Sequence, residues 1–137
     1  MLVFIDTSAL KAYYDSGDGF HAKARNFMQK VSRREIPISS FVTTDYVLDE
    51  AVTIVRFAHS HEKAVELAQA SLSSKLLKVE YTDEETFREA LELFRKYSDK
   101  LWSFTDCVSF TAMKRSDATK AFAFDDHFSQ AGFEVLP

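Results

Sequence analysis

The sequence predicts an α/β protein, a three-layer α/β/α sandwich with a mainly parallel central sheet, formed as one domain over residues 1–137. Three observations lead there. Short strand-like apolar runs alternate with longer stretches of helical periodicity along nearly the whole chain. Two of those runs, Leu2-Val3-Phe4-Ile5 and Ala121-Phe122-Ala123-Phe124, are unbroken in hydrophobicity, as strands covered on both faces must be. Hydrophobic residues make up 46% and charged residues 28%, with three glycines and two prolines, a balance that fits neither disorder nor a turn-dense all-β architecture. A chain of this size buries roughly two thirds of its unfolded surface, enough for one self-sufficient core. No linker, low-complexity tract or internal repeat interrupts it.

Leu2 to Ile5 reads as the first strand, and a short helix follows from about Ser8 to Tyr14. The turn Ser16-Gly17-Asp18-Gly19 opens a second helix, in which Phe20, Ala24, Phe27 and Val31 keep helical spacing while Lys23, Arg25, Lys30, Arg33 and Arg34 lie elsewhere. Pro37 closes its exit, and Ile36 to Val42 can form a second strand. Thr43 or Thr44 suits the N-cap of a third helix running to about His59, and Ser60 caps a fourth that carries Val65, Ala68, Leu72 and Leu76. Leu77 to Tyr81 alternates as a strand. Thr82-Asp83-Glu84-Glu85 has the pattern of a capping box, opening a helix that buries Phe87, Ala90, Leu91 and Phe94. Its Glu84, Arg88, Glu92 and Lys96 alternate in sign at helical steps and form a solvated face. Ser103 or Thr105 caps a sixth helix that holds Val108, Phe110, Ala112 and Met113 and ends near Arg115. The strand Ala121 to Phe124 and a last strand from Phe133 to Leu136, after Gly132, complete the chain.

The run before Asp6 is far too short for a signal peptide or a membrane span, which predicts an intracellular, cytoplasmic protein with no membrane partner. Cys107 is the single cysteine, without a disulfide or thiolate partner and without a local activating signature, so it reads as a small buried apolar residue. A net charge of −4 argues against coating nucleic acid through bulk positive charge. It leaves room for an enzyme whose clustered acids are neutralised by cations.

Chemistry concentrates in acids. Asp6 and Asp125 each follow a buried strand, at the carboxyl ends where open α/β sheets bind ligands. Asp106 falls in the first turn of the sixth helix, where the helix dipole favours negative charge. Glu50 lines up with Thr43, Val47, Ile54 and Phe57 and so interrupts an apolar stripe, a costly position unless it is paired or metal-bound. A buried salt bridge is the alternative for Glu50. Asp45 serves a helix N-terminus and Asp49 faces water. His59 and His61 do not share a helix face and make no zinc pair, whereas His127 lies beside the acids.

Phe4-Ile5-Asp6-Thr7-Ser8-Ala9-Leu10, Glu50, Phe104-Thr105-Asp106-Cys107-Val108-Ser109-Phe110 and Ala123-Phe124-Asp125-Asp126-His127-Phe128 span nearly the whole chain in order. Together they resemble a PIN domain, and most of all the toxins of VapBC toxin-antitoxin pairs; the His21-x-x-Ala24 helix start is similar too. The resemblance implies a ribonuclease in which Asp6, Glu50, Asp106 and Asp125 surround Mg²⁺ or Mn²⁺, the hard cations that all-oxygen ligation prefers. It implies support from the hydroxyls of Thr7, Ser8 or Thr105, which equally suit helix caps. Asp126 could share or replace the role of Asp125, and it stands where these toxins often carry a basic residue. A homodimer silenced by a small antitoxin inserting into the acidic groove is implied as well. Lys11, Lys114 and Arg115 are candidate RNA contacts. A phosphoaspartate phosphatase would want a second Asp where Ser8 stands, and no glycine-rich phosphate loop exists. A non-catalytic PIN scaffold binding RNA or a protein partner, or an RNA-processing nuclease, are the remaining alternatives.

Overall fold

The unbroken apolar run after Met1 becomes the centre of the sheet because it can be covered on both faces: Val3 and Phe4 are fully buried there. In this computed structural model, which describes residues 1–137, the elements run β1 (Leu2–Ile5), α1 (Thr7–Tyr14), α2 (His21–Ser32), β2 (Ser40–Thr44), α3 (Asp45–Ala58), α4 (His61–Ser73), β3 (Leu77–Glu80), α5 (Glu84–Lys96), α6 (Phe104–Arg115), β4 (Lys120–Phe122), α7 (His127–Gln130) and β5 (Glu134–Leu136). The five strands form one sheet in the order β3-β2-β1-β4-β5, and every pairing is parallel.

That order fixes the location of the site. From β1 the chain adds β2 and β3 on one side, then returns to add β4 and β5 on the other. Right-handed crossovers put α1 to α4 on one face of the sheet and α5 and α6 on the opposite face. The strand order reverses between β1 and β4, and the crevice at their carboxyl ends is where sheets of this kind bind ligands. Asp6 directly follows β1, and its backbone N–H still pairs with the Phe122 carbonyl of β4 at 3.1 Å.

Several expected elements shift for identifiable reasons. The second strand begins at Ser40 instead of Ile36, because residues 36–39 run beside the N-terminus, with the Met1 ammonium on the Pro37 carbonyl and the Ser39 N–H on the Met1 carbonyl. β4 ends at Phe122, since Phe124 donates its N–H to the Ser8 hydroxyl and leaves the ladder. The fourth helix buries Ala64, Leu67 and Ser71, whereas Leu72 is 63% exposed, so the packed face is rotated from the expected one. The fifth helix is capped by Asp83, not Thr82, because Thr82 donates both its N–H and its hydroxyl to Asp45, at 3.0 and 2.6 Å. Small Thr86 and Ala90 are its buried residues, and Phe87, Leu91 and Phe94 are left part-exposed. The short helix α7 is new. Ser60 caps its helix as read from the sequence, and of the alternatives left open there Thr44, not Thr43, caps α3 and Ser103, not Thr105, caps α6.

Candidate active site

Asp6 is the N-cap of α1, where its Oδ2 accepts the Ser8 N–H at 3.1 Å and the Ser8 hydroxyl at 2.7 Å. The same hydroxyl accepts the Phe124 N–H at 3.0 Å. Ser8 therefore ties the end of β1 to the segment that carries Asp125. Asp106 is held by its own helix: Ser103 and Asp106 form a reciprocal capping box, and Asp106 Oδ2 accepts the Ser103 N–H at 2.9 Å. That oxygen is also 2.8 Å from His127 Nδ1. Asp125 accepts the His127 N–H on Oδ1 at 3.1 Å. His127 thus links two of the acids.

The charges of Asp125 and Asp106 reach Asp6, and that of Asp125 reaches Asp106. Asp6 is only 3% exposed, and no cationic side chain neutralises it. Its carboxyl is pushed up to about 7, by burial first and then by the charges of Asp125 and Asp106, against the Ser8 hydrogen bonds. The Asp106 carboxyl is likewise raised by burial and by Asp125, although the Ser103 N–H and His127 pull the other way. Such a cluster favours a hard divalent cation. The donor chemistry fits one: Asp6 and Asp106 each commit Oδ2 to local donors and Asp125 commits Oδ1, leaving one oxygen of each without a hydrogen-bond partner. As positioned, no three acids stand close enough to grip a single ion.

Glu50 differs from its expected setting. The buried stripe of α3 is Val47, Ala51 and Val55, while Phe57 is 81% exposed, so Glu50 flanks the core in a half-buried position. It has neither an ion pair nor a hydrogen bond to the three aspartates, and the buried salt bridge considered for it is absent. Thr7 is buried, and its hydroxyl lacks any partner. Thr105 is half-buried and lends only its carbonyl, to Ser109, so it neither caps α6 nor touches the acids. Asp126 is exposed and bonded to Gln130 at 3.2 Å, outside the charged cluster.

Two of the three candidate RNA contacts are engaged in ion pairs, and the third lies away from the acids. Lys11 pairs with Asp18 at 2.6 Å and Asp15 at 3.3 Å, and Arg115 with Glu89 at 2.7 Å and Glu85 at 3.3 Å. Lys114 is at the far end of α6, about 12 Å along the axis from Asp106. Cys107 is fully buried, and burial pushes its thiol up to about 11, as a structural residue requires. Sequence reading did not place the His127 ring on Asp106. The Ser103-x-x-Asp106 spacing was the signal for the other half of that clamp.

A family profile described as PIN domain matches residues 3–134. The chain belongs to the PIN-domain family. Two relatives give this PIN domain its nearer context. It is 31% identical to the 23S rRNA-specific endonuclease VapC20 of Mycobacterium tuberculosis over 137 residues, covering 99% of both chains. It is 27% identical to a VapC ribonuclease of Archaeoglobus fulgidus over 130 residues, 94% of this chain and 80% of that one. The crystal structure of M. tuberculosis VapC20, described as a sarcin-ricin loop cleaving toxin, superposes with a TM-score of 0.86 at 30% identity, covering 96% of this PIN domain and 95% of that chain.

Proposed function

We propose that the chain acts as a single PIN domain that hydrolyses RNA phosphodiester bonds, as the Mg²⁺- or Mn²⁺-dependent endoribonuclease toxin of a toxin-antitoxin pair. One observation carries the reading: Asp6, Asp106 and Asp125 come within electrostatic reach of one another at the reversal point of the sheet, and Asp6 is buried there with no cationic partner. Whole-chain similarity to a 23S rRNA-specific endonuclease, whose solved structure is described as a sarcin-ricin loop cleaving toxin, supports RNA as substrate and a ribosomal RNA loop as its form.

Asp6, Asp106 and Asp125 would hold the ion through their free oxygens, with Glu50 completing the set from α3. A bound divalent ion supplies Lewis acidity to the phosphate and a more acidic water as nucleophile. The chain's own residues do the positioning. Ser8 fixes the Asp6 carboxylate against the Phe124 backbone, and Ser103 with His127 pins one oxygen of Asp106 and leaves the other without a hydrogen-bond partner. Thr7, beside Asp6, has an unused buried hydroxyl for a water or a ligand oxygen. Uncompensated acids also suit silencing by a small antitoxin that inserts a cation into the groove, and a homodimer in the cytoplasm is part of the same reading. No helix is long and apolar enough to cross a membrane.

The test is cleavage of a hairpin RNA with Mg²⁺ or Mn²⁺ by wild type, Asp6→Asn and Asp106→Asn. Each substitution is expected to lower the rate at least about a hundredfold, in the range of losing a catalytic group. Wild-type protein that binds the hairpin yet cuts it at no metal concentration would make this a non-catalytic scaffold.

A further inference from the structure

Phe20 closes the turn between α1 and α2 and is 46% exposed, although it is among the largest apolar side chains in the molecule. It is not a loose surface ring. One face stacks on Phe124, with ring centroids 4.7 Å apart and planes 11° from parallel. Phe124 in turn packs edge-on against Phe122 at 5.7 Å, and Phe122 against Phe27 at 4.5 Å. Phe122 and Phe27 are buried, so a column of four rings runs from the core to the surface.

The turn that carries Phe20 is fixed from below. Asp18 accepts the Phe20 N–H on one oxygen, at 2.8 Å, and Lys11 on the other, at 2.6 Å; Lys11 also reaches Asp15, which accepts the Gly17 N–H at 2.9 Å. The outer end of the column is therefore preorganised. Its inner partner, Phe124, immediately precedes Asp125, and its N–H is held by the Ser8 hydroxyl that also holds Asp6. Lys23, three residues after Phe20 and so on its side of the helix, is exposed and in no ion pair.

We propose that the outer face of Phe20 is a stacking platform for an unpaired base of the RNA strand lying in the acidic crevice, with Lys23 contacting an adjacent phosphate. The inference deepens the nuclease reading and rests on it. Single-stranded RNA is recognised by splaying bases onto aromatic faces, and a ring held rigidly beside the reacting phosphate would set which nucleotide enters. Proximity to the acids and a free cation favour RNA over a protein partner.

The probe is a hairpin RNA with an unpaired loop, titrated with Mg²⁺ against protein carrying Asp6→Asn, so that the RNA persists. In that background Phe20→Ala and Phe20→Leu are expected to weaken binding at least about fivefold, as loss of one stacked base does, and Phe20→Trp to retain it. An abasic nucleotide at one loop position should weaken the Phe20 form and leave the Phe20→Ala form unchanged. Tyr81→Leu, which removes an aromatic ring that is 70% exposed elsewhere, should change nothing. In otherwise wild-type protein Phe20→Ala should act mainly by raising KM. Unaltered affinity in folded Phe20→Ala overturns the platform while cleavage by wild type keeps the nuclease standing; unaltered affinity with a changed oligomeric mass assigns the ring to an interface between copies instead. Absence of cleavage by wild type removes both readings.

Discussion

His127 illustrates how one side chain couples groups far apart in sequence. Its ring is 2.8 Å from Asp106 and its backbone N–H reaches Asp125. By fixing one oxygen of Asp106 it leaves the other oriented, the role that outer-shell partners play for ligating carboxylates. His127→Ala is expected to raise the Mn²⁺ concentration needed for half-maximal cleavage roughly tenfold or more. His127→Asn, whose amide nitrogen can take the place of Nδ1, should recover most of the loss, and His127→Gln should not. Equal metal requirements in all the variants, measured by titrating Mn²⁺ against initial rate, would show that the contact does not position Asp106.

At the scale of elements, α6 does two jobs with its first turn. The Ser103 hydroxyl accepts the Asp106 N–H while Asp106 accepts the Ser103 N–H, so the helix start and the acid's orientation share one reciprocal motif. Ser103→Ala should cost about 1 kcal/mol of stability in urea unfolding, the usual effect of losing a cap. Cleavage should fall with it, and Ser103→Thr should restore both. A stability loss with unchanged cleavage would separate the cap from the site. The sequence narrowed the α6 cap to Ser103 or Thr105, and the structure adds the reciprocal bond from Asp106 that decides for Ser103. The pattern at Thr82 misled because Asp45, remote in sequence, competes for its hydroxyl.

For the whole molecule, the buried acids should make stability depend on pH and, under the proposed function, on metal as well. The folded Asp6 carboxyl lies near 7, above its ordinary value of 3.8, so the folded state keeps a proton that the unfolded chain releases between those values. Ionised Asp6 therefore destabilises the fold increasingly as pH rises from about 4 to 7, by an amount on the order of a few kcal/mol once fully ionised. Metal-free Asp6→Asn should melt several degrees above wild type at pH 8, with the gap narrowing towards pH 4. Mg²⁺ or Mn²⁺ should raise the wild-type melting temperature at pH 8 and leave Asp6→Asn much less affected. A gap independent of pH, in scanning calorimetry, would mean that Asp6 is not the source.

Sequence alone determined the α/β class, the parallel sheet, most helix starts and the acids Asp6, Asp106 and Asp125 as candidates, because these depend on periodicity, apolar runs and caps that act within a few residues. Tertiary structure decided what local pattern cannot encode. It rotated the buried face of α4, set Glu50 at the flank of the core instead of within it, and diverted Lys11 and Arg115 into ion pairs. It also brought His127 onto Asp106 and Phe20 onto Phe124. The physical reason is range: a helix registers its neighbours at three and four residues, but burial and charge depend on which distant surfaces meet, and only the reversal of strand order between β1 and β4 settles that.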